Sequence, residues 1–95
     1  MKTCVIGGGL MGLALARKFA RDGHAVTVLE RAEQLGGLAT WHDFGGFYWD
    51  RFYHVILPSD RHLIAFVDEL GLKDHLEWQR TYTGFFVDDR MHSIS

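Results

Sequence analysis

Six residues near the start of the chain constrain its fold more than any other feature: Gly7-Gly8-Gly9-Leu10-Met11-Gly12, a G-x-G-x-x-G pattern. Glycine is common, so the pattern takes its weight from its flanks. Residues 2–6 before it form a short, β-branched, near-continuous apolar run, as in a strand buried on both faces of a parallel sheet. After it, from Leu10 to Arg21, a helical wheel gathers Gly12, Leu13, Leu15, Ala16, Phe19 and Ala20 on one side. Arg17, Lys18, Arg21 and Asp22 fall on the other, so the glycine at 12 lies on the packing face. Lys18 and Arg21 complement the negative end of the helix dipole, and Gly23 ends the helix. His24 to Leu29 is a second β-branched strand, closed by Glu30. Strand, helix and strand in this order predict a βαβ unit with parallel, adjacent strands and a right-handed crossover.

Beyond Glu30 the composition changes. Residues 31–40 are a polar loop containing glycines, and Trp41 to Tyr53 is aromatic-rich and interrupted by Gly45-Gly46. Pro58 excludes a helix across it, and Ser59 or Asp60 can cap one, which predicts a second helix over about 60–70 with Leu63, Ile64, Phe66, Val67 and Leu70 on one face. Gly71 is its stop. Glu77 to Val87 reads as a strand, Asp88-Asp89 as a tight turn and Arg90 to Ile94 as a returning strand, together a hairpin. The fold class is therefore α/β: a βαβ unit of the Rossmann type, then a helix and a β-hairpin, an incomplete doubly wound fold. Residues 1–95 read as the N-terminal part of a dinucleotide-binding domain, with the ADP-binding βαβ unit and its loop over 1–40 and residues 41–95 following it without a linker.

The 95 residues, 47% hydrophobic and 23% charged, describe a globular chain of one domain at most. A net charge of −2 argues against nucleic acid, whose binders carry a dense basic patch. The charge is uneven: residues 1–29 hold four Lys/Arg and one Asp, residues 30–95 six Lys/Arg and eleven Asp/Glu. The single cysteine, Cys4, excludes an intrachain disulfide and, within an apolar run, reads as a small buried hydrophobe. No apolar stretch reaches the roughly 18 residues of a membrane span. The glycines arrive too soon for a signal peptide, so cytoplasm is the expected location. The six histidines show no i, i+4 pair and have no companion cysteines, so no metal site is expected.

Each glycine of the turn has a physical task. Gly7 permits the tight exit from the strand, Gly9 lets backbone approach a pyrophosphate without a Cβ in the way, and Gly12 lets the helix sit close on the sheet. The helix N-terminus at Leu10 and Met11, following Gly8 and Gly9, offers backbone N–H groups and the positive dipole end to that pyrophosphate. Glu30, 23 residues after Gly7, is placed to accept hydrogen bonds from the two ribose hydroxyls, and its carboxylate repels a 2′-phosphate. These features alone do not separate NAD from FAD, which share the ADP half.

The segment Glu30-Arg31-Ala32-Glu33-Gln34-Leu35-Gly36-Gly37-Leu38-Ala39-Thr40 resembles the E-x5-G-G-x-x-T continuation of the superfamily of flavin-containing amine oxidases, protoporphyrinogen oxidases and carotenoid desaturases. In that family the glycine pair passes the FAD diphosphate, so the resemblance implies FAD as cofactor and extends the binding set to Arg31, Gly36, Gly37, Leu38 and Thr40. Leu38 stands where many members carry Arg. Downstream, Gly46-Phe47-Tyr48-Trp49-Asp50-Arg51-Phe52-Tyr53-His54 is similar to the family's G-x-x-x-D-x-G-x-x stretch beside the flavin, with Phe52 in place of the second glycine. It implies His54 near the cofactor.

No catalytic residue is assigned. His54 could give a flavin a hydrogen bond or proton and Arg51 could stabilise its reduced form, against packing for the first and an ion pair with Asp50 for the second. Core and subunit packing is the expectation for most of the aromatic residues from Trp41 to Tyr53. The resemblance implies the FAD-binding N-terminal portion of a flavin-dependent oxidoreductase, an NAD(P)-binding-like fold that is inactive alone. A small-molecule substrate would bind only in the complete enzyme, and a complementing chain or subunit is a possible partner. The alternatives are a stand-alone, non-catalytic nucleotide- or partner-binding module and an NAD-dependent protein.

Overall fold

Strand β1 (Lys2–Ile6), helix α1 (Leu10–Arg21) and strand β2 (Ala25–Leu29) follow one another as the apolar pattern requires in the computed structural model, which describes residues 1–94. β1 and β2 pair in parallel, in register from Lys2 opposite Ala25 to Ile6 opposite Leu29. α1 lies on the face of this two-stranded sheet that carries Val5, where Val5 and Ala16 are the buried hydrophobic residues among those described. The helix ends as glycine-terminated helices do: the Gly23 N–H donates to the Ala20 carbonyl and the His24 N–H to the Phe19 carbonyl.

The other face of the pair corrects an expectation. Lys2, Cys4, Ile6, Ala25, Thr27 and Leu29 are all exposed, Ile6 at 87%. The strands are therefore covered on one face, and Cys4 is an exposed thiol rather than a buried hydrophobe. The reason is the side-chain period of two: α1 can cover only alternate residues, and a parallel sheet needs a second layer for the rest. The packing stripe of α1 is also narrower than its wheel implies, since Leu15 and Ala20 are exposed.

After a 3₁₀ turn at Gly37–Ala39, strands β3 (Trp41–Asp43) and β4 (Tyr48–Asp50) form an antiparallel hairpin within the stretch expected only to be aromatic-rich. The Phe44 N–H donates to the Phe47 carbonyl, and the Asp43 carboxylate accepts from the Gly45 N–H at 2.8 Å. Phe44 and Phe47 stack with centroids 5.2 Å apart, and Trp41 meets Tyr48 edge-on at 6.4 Å. These rings pack against one another across the hairpin and remain exposed, so core packing does not account for them.

These elements belong to a compact unit, Met1–Val55; a second begins at Ile56. In the second, α2 (Arg61–Glu69) places Leu63, Ile64, Phe66 and Val67 on its less exposed side, with Leu70 outside it. Asp60 occupies the N-cap position, but its carboxylate accepts from the Leu57 N–H at 2.8 Å behind it and makes no cap bond into the helix. Gly71 stops α2 with N–H bonds from Gly71 to Asp68 and from Leu72 to Val67. Strands β5 (Gly84–Val87) and β6 (Arg90–Ser93) form the expected hairpin around Asp88-Asp89. β5 is shorter than the run from Glu77 suggests. A strand exists only where a partner's N–H and C=O groups face it, and β6 offers four residues.

Candidate functional site

The fold brings the two glycine clusters together. The Gly7 N–H donates to the Leu29 carbonyl at 2.7 Å, fastening the turn after β1 to the end of β2, and φ of 101° at Gly7 is a conformation that favours glycine. The Gly8 carbonyl accepts from the Gly36 N–H at 2.8 Å, and Gly9 and Gly36 form a parallel bridge. A Cβ placed on Gly37 would stand 3.1 Å from the Gly9 Cα. The glycine pair at 36–37 is thus packed backbone to backbone on the turn at 7–9.

Packing separates the roles of the glycines in this turn. At Gly12 a Cβ would run into the Gly7 carbonyl, so α1 starts as close to the turn as backbone allows. Gly8 is buried, and a Cβ there would meet Leu35 Cδ2 at 2.5 Å and Glu30 at 3.2 Å. Sequence reasoning missed the packing at Gly8 and its lid Leu35; the available signal was a leucine directly before the glycine pair. Gly9 differs from both. Its φ of −73° suits any residue, and a Cβ there would meet no protein atom within 4 Å. Nothing in the chain's own packing demands glycine at 9.

Glu30 closes the turn from the end of β2. One carboxylate oxygen accepts from the Gly8 N–H at 2.7 Å and the other from the Ala32 N–H at 2.9 Å. These bonds, that from Ala32 foremost, hold the carboxyl below the usual carboxylate range, so it is ionised at neutral pH. A carboxylate has about four acceptor positions, so both oxygens keep capacity for further donors. Beside it, α1 begins with no side-chain cap and no acidic residue in its first turn. Its first internal bond is from the Leu13 N–H to the Gly9 carbonyl, which leaves the N–H groups of Leu10, Met11 and Gly12 outside the helical ladder.

The remaining predicted residues lie around this centre in different ways. Thr40 is 4% exposed, and its hydroxyl donates to the Gly37 carbonyl at 2.7 Å. Arg31 and Leu38 are exposed, as are Leu10 and Met11. His54 is exposed, with Nδ1 2.6 Å from the Phe52 carbonyl oxygen, so Nδ1 carries the proton of that bond. That contact is local and does not bring His54 to the glycines. The Arg51 N–H donates to the Thr40 carbonyl, which joins the end of β4 to the glycine-pair segment. Among the described residues no group of three or more His, Cys, Asp or Glu is placed to hold a metal, and no helix is long and apolar enough to cross a membrane.

Residues 10–92 match the family described as flavin containing amine oxidoreductase. The chain is 32% identical over 80 residues to a 15-cis-phytoene desaturase of Synechococcus elongatus, a match covering 83% of this chain and 17% of that protein. It is 35% identical over 100 residues to a 4,4'-diapophytoene desaturase of Staphylococcus haemolyticus, covering 100% of this chain and 20% of that one. Among solved structures, an oxidoreductase from Methanosarcina mazei is similar with a TM-score of 0.63 at 37% identity, over 75% of this chain and 17% of that one. The chain spans a fifth or less of the length of these relatives.

Proposed function

Because the chain belongs to the flavin containing amine oxidoreductases, whose cofactor is FAD, we propose that its β1–α1–β2 unit, with the glycine pair after it, grips the ADP half of FAD in a Rossmann-type manner. Gly9 carries the proposal. A glycine required by neither conformation nor packing has its explanation in a ligand brought against the backbone. The N–H groups of Leu10 and Met11 donate to the diphosphate at the positive end of α1, and the N–H bonds rather than the dipole, worth about 0.3–2 kcal/mol, supply most of the hold. Glu30, ionised and already aimed by the Gly8 and Ala32 N–H groups, accepts from the ribose hydroxyls. It excludes a phosphate at the 2′ position by like charge.

Bound flavin supplies the capacity to accept a hydride. What this chain contributes is binding and orientation: the turn fixes the adenine end, and the segment from Gly36 carries the chain toward the rest of the cofactor. The match takes in a fifth or less of the length of each relative. We assign the substrate pocket and the electron acceptor to the length outside the match, with the 95 residues alone binding FAD without turnover. The test is titration of the purified chain with FAD, followed by flavin fluorescence. ADP is expected to displace the flavin, NADP to bind at least tenfold more weakly than NAD, and Gly9→Ala to lose FAD without change in the circular dichroism spectrum. Undiminished binding by both Gly9→Ala and Glu30→Gln would overturn the assignment, and substrate-dependent bleaching of FAD by the chain alone would overturn its inactivity.

A further inference from the structure

We infer that Thr40 is a positioning residue that locks the Gly36–Gly37 pair onto the Gly7–Gly9 turn, and not a residue that touches the cofactor; its meaning for binding rests on the FAD reading above. Thr40 is the buried polar residue among those described, at 4% exposure, and so has almost no surface to offer a ligand. Its one hydroxyl proton is committed to the Gly37 carbonyl at 2.7 Å. Its methyl carbon, Cγ2, stands 2.7 Å from where a Cβ on Gly36 would be, so it confines that glycine from the side. Its own carbonyl accepts from the Arg51 N–H at 2.8 Å, which anchors it to the end of β4.

The pair needs such a lock. Gly36 and Gly37 both hold positive φ, 114° and 59°, and glycine loses more conformational freedom on ordering than any other residue. Against that loss the pair has the bond from the Gly36 N–H to the Gly8 carbonyl, the bond from the Ala39 N–H to the Gly36 carbonyl, and the Thr40 hydroxyl on Gly37. A bond inside a part-buried turn costs more when one partner is removed than it contributes when made, because the other is left unsatisfied. The Gly37 carbonyl would be that orphan. Arg51 to Thr40, Thr40 to Gly37, and Gly36 to Gly8 therefore form a continuous path of backbone and hydroxyl bonds from the β3–β4 hairpin to the pyrophosphate turn.

Two variants of the full chain separate the parts of the lock. Thr40→Val keeps the shape and the methyl but removes the hydroxyl, and Thr40→Ser keeps the hydroxyl. Amide hydrogen exchange reads the lock without any ligand. In Thr40→Val, exchange at the Gly36 N–H should accelerate about tenfold while the β1–β2 ladder stays protected, and Thr40→Ser should restore it. Binding then reads the consequence: Thr40→Val should weaken ADP and FAD about tenfold and lower the affinity of ADP relative to AMP, with rescue in Thr40→Ser. Unchanged Gly36 exchange in Thr40→Val overturns the lock. Accelerated exchange with unchanged FAD affinity, or with ADP and AMP weakened equally, overturns the positioning role. Failure of the unmodified chain to bind FAD or ADP overturns the FAD reading and the positioning role with it, while the exchange result still decides whether the lock exists.

Discussion

At the scale of single residues, the turn contains glycines held for different reasons, and alanine substitution distinguishes them. Gly12→Ala drives a methyl into the Gly7 carbonyl, a backbone atom that cannot move aside without shifting the start of α1. It should cost the most stability, about 3 kcal/mol. Gly8→Ala meets the end of the flexible Leu35 side chain first, so a smaller loss of about 1 kcal/mol is expected. Gly9→Ala should leave the thermal midpoint unchanged while FAD affinity falls at least tenfold; a midpoint that drops as far as that of Gly12→Ala would refute the division. Glu30 adds a pH dependence whose sign is determined. Its carboxyl is held below the usual range by the Ala32 and Gly8 N–H groups, so the folded state binds the proton less readily than the unfolded one. Its contribution to stability is full above the unfolded value of about 4.3 and is lost as the pH falls through the lower folded value. Denaturation of the unmodified chain and of Glu30→Gln should therefore differ by a constant amount from pH 7 to about 5 and converge below about 4. A difference that grows on acidification would exclude the clamp.

At the scale of elements, the two hairpins show how turns and partners set strand length. Asp88 and Asp89 both hold positive φ, 51° and 58°, the arrangement of a type I′ turn, in which Asn-Gly is the favoured pair. Replacing them together, Asp88→Asn with Asp89→Gly, should stabilise the β5–β6 hairpin by about 0.5–1 kcal/mol. The effect is measurable as slower amide exchange along Phe85–Val87, and faster exchange would show that the carboxylates serve the turn. In β3–β4 the stacking of Phe44 on Phe47 and the edge contact of Trp41 with Tyr48 supply the side-chain pairing that a three-residue ladder needs. The periodicity of residues 41–50 could not announce this hairpin, because aromatic residues occupy both faces of it. Helix ends were more legible: Gly23 and Gly71 stop α1 and α2 at the predicted places through the same pair of backbone bonds. Ser59 and Asp60 were both legible as N-cap candidates, and the structure chose Asp60, whose side chain turns back to Leu57.

At the scale of the molecule, the exposed face of β1 and β2 bears directly on how the chain behaves alone. Cys4 lies on it beside Ile6, so in the 95-residue chain its thiol should react with Ellman's reagent at the rate of a free cysteine; slow reaction would show that the face is covered in solution. The βαβ order, the limits of β1 and α1, the glycine turn and the acid at the end of β2 were determined by sequence alone. They depend on local periodicity, on glycine at required bends and on an acid one strand later, all of which act between near neighbours in the chain. The resemblance carried by Gly36-Gly37 and Thr40 also pointed to FAD before any geometry was known. Only the tertiary structure decided that Gly8 is buried under Leu35, that Glu30 grips the turn through the Gly8 N–H, and that the Gly36–Gly37 pair packs on the Gly7–Gly9 turn. It also decided that one face of the sheet, Cys4 included, is bare. These depend on which surfaces meet across 20 or more residues of intervening chain, and side-chain type and spacing do not encode that distance.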